Sequence, residues 1–96
     1  MNQTVETTKT LKDYQVILDD IYPHNPIFNL IEIDNNIVFE VISDKMNIKQ
    51  TNILFKKEKE LTILTCNKKI GYYKVLANKT VLERKKLDII IQHQRN

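Results

Sequence analysis

Residues 53–66, ILFKKEKELTILTC, run from an apolar segment through a charged one into a second apolar segment. Their spacing predicts a β-hairpin. Ile53 and Phe55 fall on one face of a first arm, and Leu61, Ile63 and Thr65 on one face of a second, with the period of two that a half-buried strand requires. Lys56, Lys57, Glu58, Lys59 and Glu60 keep the tip in water.

Working outward from this hairpin, the rest of the chain also divides into short strands. Ile27 to Asp34 and Ile37 to Ser43 form a second hairpin candidate around Asn35 and Asn36, since Asn tolerates the left-handed backbone of a two-residue turn. Phe28 and Leu30 are expected on one face of its first arm and Ile27, Ile31 and Ile33 on the other. Ile37, Phe39 and Val41 are the inward set of its second arm. Residues 44–51 form a connecting loop. After Asn67, Lys68 and Lys69, a strand over 70–77 carries Tyr73, Val75 and Ala77 on one face, with Gly71 a candidate bulge. Short strands over 81–83 and 87–92 close the chain, the last with Leu87, Ile89 and Ile91 inward. Only the N-terminal part differs. Residues 1–10 lack periodicity and are expected to be a mobile tail, while Leu11, Tyr14, Leu18, Ile21 and Tyr22 mark a short helix that Pro23 and Pro26 end.

Seven to eight short strands with few helices predict an all-β, immunoglobulin-like antiparallel sandwich. The expected organisation is a tail and helix over 1–25 and one sandwich domain over 26–96, because 96 residues supply only one core. No sequence repeat of twenty to fifty residues is visible. The formal net charge of +3, from 15 basic and 12 acidic side chains, falls short of the concentrated positive charge of a strong nucleic-acid binder. The lone Cys66 excludes an internal disulfide and fits a reducing compartment. With no secretory or membrane-spanning pattern, a cytoplasmic location and no membrane partner are expected. Neither a nucleophile with its base, a Gly-rich phosphate loop nor a metal cluster can be assembled from the motifs, so no enzyme activity and no cofactor are expected.

Several stretches resemble the small heat-shock protein (alpha-crystallin) domain. PIFNLIEIDNNIVFEV at 26–41 is similar to its opening hairpin, Leu61-Thr62-Ile63 stands in the place of its Leu-x-Ile, Tyr72 to Val75 is similar to the strand that follows, and Leu87 to Ile91 to its closing strand. The long exchange loop and the C-terminal Ile-x-Ile tail of the large assemblies are missing. In this the chain looks closer to the related CS-domain co-chaperones. The resemblance implies an ATP-independent chaperone or co-chaperone module, active in stress response, that binds unfolded or partner proteins; a homodimer is compatible with it. Val38, Ile42, Leu54 and Ile90 lie opposite the inferred core and are the candidate partner-binding residues. The alternative is a small basic β-domain binding nucleic acid, with Lys56, Lys57, Lys59, Arg84, Lys85 and Lys86 on phosphates and Tyr72 or Tyr73 stacking on bases.

Overall fold

A computed structural model describes residues 9–95; the tail expected over 1–10 lies, but for its last two residues, outside the described residues. The chain runs α1 (Leu11–Ile21), β1 (Ile27–Ile33), β2 (Asn36–Ile42), a 3-10 turn (Lys45–Asn47), α2 (Ile48–Lys57), β3 (Thr62–Asn67), β4 (Tyr72–Asn78) and α3 (Lys79–Arg95). Four antiparallel strands form one sheet in the order β1-β2-β4-β3. The sandwich of seven to eight strands is therefore not the fold of this protein. It is an α+β architecture in which helices cover one face of a single sheet.

The misreading is concentrated in two places. Ile53 to Lys57 is the end of α2, not a strand. Its alternation spans only three residues, whereas Ile48, Thr51 and Phe55 are spaced for one helical face and are half-buried, buried and buried. The polar Thr51 hides that stripe. Asp44 caps the 3-10 turn that leads into α2, accepting hydrogen bonds from the backbone N–H groups of Met46 and Asn47 at 3.0 and 2.9 Å, while α2 itself starts after Asn47 without a side-chain cap. The second place is the C-terminus, where strands expected over 81–83 and 87–92 are one helix. Asn78 opens it by accepting from the Thr80 N–H at 2.9 Å. Lys85 bonds Glu58 at 2.9 Å, and Lys79, Arg84 and Lys86 pair with Glu32, Glu60 and Asp20, so the first half of this helix, before its β-branched run, is tied to three other parts of the chain.

Other expectations hold in part. Helix α1 begins in a capping box, Thr10 and Asp13 each satisfying the other's backbone N–H, and ends with Tyr22 as its C-cap just before Pro23. The β1–β2 hairpin forms with its turn one residue earlier than expected, at Asp34 and Asn35, where Asp34 takes a positive φ of 55°. Within β1 a register shift between Phe28 and Ile31, with Asn29 at φ 53°, reverses the facing of the residues beyond it. Leu30 thus packs on the core while Phe28 and Ile31 share the opposite face. The β3–β4 connection is a turn through Gly71, which is a turn residue rather than a strand bulge.

The core lies between the sheet and the helices. Ile37, Phe39 and Val41 of β2 and Val75 of β4 meet Leu18 of α1 and Leu82 of α3, all fully buried. Phe55 of α2 stacks on Tyr73 at 4.7 Å between ring centres and tilts against Tyr22 at 5.5 Å. The elements themselves are duplicated: helix, strand, strand occurs first as α1-β1-β2 and again as α2-β3-β4, with the inner strands β2 and β4 paired symmetrically about Phe39 and Val75. Few side chains carry this repeat, because only the burial pattern of the two units is shared.

Candidate protein-binding surface

Helices cover one face of the sheet; the other is built from the remaining half of each strand. Because paired residues in an antiparallel ladder point the same way, the register places the side chains of this second face in rows. One row is Ile31, Val38, Leu76 and Thr62 across the four strands; the next is Phe28, Glu40, Lys74 and Thr65; a third holds Ile42, Tyr72 and Asn67. Ile31 is 49% exposed and Ile42 37%, while Val38 is only 3% exposed and lies outside the helix-side core cluster. Val38 is thus shielded by its neighbours on this face.

The polar centre of the surface is ordered. Tyr72 donates its hydroxyl proton to Glu40 Oε1 at 2.6 Å. That bond first, and one from Asn29 second, hold the Glu40 carboxyl below its usual range, and the same contact pushes the Tyr72 phenol up.

Of the residues expected to bind partners, Val38 and Ile42 lie together on this face. Leu54 is on α2, beside a cleft lined by His24, Asn25 and Thr51, and Ile90 is on the exposed side of α3. The cations of the nucleic-acid alternative are divided. Arg84, Lys85 and Lys86 are engaged with Glu60, Glu58 and Asp20, whereas Lys56, Lys57 and Lys59 lie at the exposed end of α2 and the loop beyond it. Tyr73 is buried against Phe55, its hydroxyl donating to Asn52 Oδ1 at 2.6 Å. Sequence reading missed Phe28, Ile31, Leu76, Glu40 and Lys74. The signal was present in NIVFEVI at 36–42, which is apolar on both faces, but the bulge at Asn29 had to be known before β1 could be placed in phase.

Among the described residues, no group of His, Cys, Asp and Glu is arranged to hold a metal ion, and no helix is long and apolar enough to cross a membrane. No known family model, curated protein or solved structure matches this chain. The small heat-shock resemblance implied a sandwich, and the chain instead forms a four-stranded sheet with three helices.

Three carboxylates give the fold a pH dependence. Asp13 is lowered first by the Thr10 backbone N–H, Glu40 by Tyr72 and Glu60 by Arg84. A carboxyl whose pKa is depressed on folding stabilises the fold above its unfolded value of about 4, and that contribution is lost as pH falls through the depressed folded value. The melting temperature is expected to be level from neutral pH to about pH 5 and to fall below about pH 4. Asp13→Asn and Glu40→Gln should each reduce that fall; an unchanged melting temperature down to about pH 2.5 would remove these contacts from the account.

Proposed function

We propose that this chain is a non-catalytic protein-binding domain that docks a polypeptide on the uncovered face of its sheet, the occupant being a second copy of the chain. The observation that carries this reading is the arrangement of the half-buried Leu76, Glu40 and Lys74 along the line between β2 and β4, beside a Val38 that its neighbours already shield. A two-fold axis running along that line, in the plane of the face, sets Val38 over the partner's Leu76 and Glu40 over the partner's Lys74, and the reverse. The surface is self-complementary in shape class and in charge, as an isologous interface requires, and two sheets can pack in this way at about 10 Å separation. The same axis sets the exposed Ile31 over the partner's Thr62 and Ile42 over the partner's Tyr72, so both are covered in the pair.

The shifted carboxylates support a binding role over catalysis. Asp13, Glu40 and Glu60 are all moved down by hydrogen-bond partners, away from the range a general acid needs near neutral pH. Cys66, exposed on edge strand β3, supports placement in a reducing compartment such as the cytoplasm.

Light scattering coupled to size-exclusion chromatography tests the reading. The wild type is expected at the mass of two 11.4 kDa chains. Ile31→Lys should give a folded monomer, since Ile31 is half exposed and its replacement leaves the helix-side core intact. Glu40→Lys alone should weaken the dimer by at least tenfold through like-charge contacts, and adding Lys74→Glu should restore it. A wild-type monomer at every concentration reached would refute the proposal, as would a dimer indifferent to all three substitutions.

A further inference from the structure

On the side of the molecule away from the uncovered sheet, helix α2 and the 3-10 turn before it present an open cavity of about 530 Å³. Lys45, Lys49, Lys56 and Lys68 surround it, with Met46 and Ile53 among them. From Lys45 to Lys74 the chain carries eight lysines against two acidic residues, Glu58 and Glu60, and both of those are bonded to cations of α3. Asp44, at the margin, has both carboxylate oxygens engaged by the backbone and side chain of Met46 and Asn47. Among the described residues, the ion pairs take their cations from Lys9 and α3, so the four cavity lysines face solvent uncompensated.

The apolar members are out of place for a purely solvated helix face. Thr51 and Phe55 define the buried side of α2, and at 3.6 residues per turn Ile53 points almost directly away from it, flanked by Lys49 and Lys56. Ile53 is 44% exposed and Met46 88%. The turn carrying Lys68 is fastened to the same helix, since Asn52 Nδ2 donates to the Lys68 carbonyl at 3.0 Å. The lysines therefore belong to one surface assembled from two parts of the chain.

The geometry points to an interfacial docking surface for an anionic lipid bilayer, with Met46 and Ile53 entering the headgroup boundary and Lys45, Lys49, Lys56 and Lys68 meeting lipid phosphates and carboxylates. The charge is complementary to an anionic leaflet, and long lysine side chains can keep their ammonium groups at the headgroup level while their stems lie along apolar surface. The chemistry favours lipid over nucleic acid. The cavity has aliphatic tips and no aromatic ring on which a base could stack, and its cations are all lysine, without the arginine fork that reads base edges. This departs from the sequence expectation of no membrane partner, because the lysines and aliphatic tips converge only once residues 48–57 are a helix.

Flotation of the full chain with vesicles provides the test. Vesicles containing one third phosphatidylserine in phosphatidylcholine should carry the protein upward, and phosphatidylcholine alone should not. Replacing Lys49 and Lys56 together by Ala should weaken binding about thirtyfold, or roughly fivefold for each lysine near an anionic surface. Met46→Asp with Ile53→Asp should abolish flotation, and an unchanged circular dichroism spectrum and melting temperature would show that the fold survives. Ile31→Lys, which disables only the sheet face, should still float, so failure here and failure of the dimer are separately visible. Equal binding to neutral vesicles, absence of binding to anionic ones at low salt, or tighter binding of a single-stranded oligonucleotide that Met46→Asp leaves unchanged would each overturn the inference.

Discussion

Phe39→Ala is expected to lower unfolding free energy by about 3–5 kcal/mol, read as a reduced urea midpoint at unchanged slope. Phe39 sits at the centre of β2, fully buried, with its ring 6.2 Å from that of Tyr22 and its backbone partnered by Val75. It is the point where both helix-strand-strand units meet. Removing the ring takes away its burial and leaves a cavity bounded by two structural layers, neither of which can close over it without shifting the other. A domain of this size commands about 5–15 kcal/mol in all, so this one substitution removes a large share. A loss below about 1 kcal/mol would show that the layers repack freely, contrary to the tight contact described.

The second large effect is expected from Gly71→Ala, at the only glycine in the chain. Gly71 has φ +66°, a backbone region that costs an alanine about 1–2 kcal/mol. A Cβ there would also stand 2.5 Å from Ser43 Cβ, too close for any real contact. Retreat is limited because the Ser43 N–H donates to the Gly71 carbonyl at 3.1 Å, tying the end of β2 to the β3–β4 turn. The combined cost should exceed about 2 kcal/mol, and in a Ser43→Gly background it should fall to the conformational part alone, about 1–2 kcal/mol. Thermal melts of the four members of this cycle measure it. Equal costs in both backgrounds would show that the two residues do not touch. Because this turn also positions Lys68, Gly71→Ala should weaken vesicle binding as well.

Short apolar alternations in this chain are compatible with both a strand and a helix. Ile53 and Phe55 alternate, yet Phe55 belongs to a helix stripe shared with Ile48 and Thr51, and a threonine in that stripe carries almost no hydrophobic signal. The Ile89 to Ile91 run has strong β preference, but it follows Asn78, whose side chain caps a helix, and a segment whose charges are bonded to Asp20, Glu32, Glu58 and Glu60. Those partners are distant in sequence, so no local pattern could weigh them. The candidate interface was half legible: Val38 and Ile42 stand out as apolar residues opposite Phe39 and Val41, whereas Leu54 and Ile90 were grouped with them only because the helices had been read as strands.

The sequence by itself determined the local units that depend on near neighbours. Helix α1, its stop before Pro23, a hairpin between Ile27 and Ser43 with its turn placed one residue late, and the buried alternation of Ile37, Phe39, Val41, Tyr73, Val75 and Ala77 all follow from periodicity, proline geometry and turn chemistry within a few residues. Tertiary structure alone decided that α2 and α3 are helices, that all three helices share one side, and that the other side of the sheet and the lysine cavity are open. The reason is physical: propensity contributes tenths of a kcal/mol per residue, while burying Phe55 and Leu82 contributes about 2–3 kcal/mol each. The larger contribution depends on partners that only the assembled fold supplies.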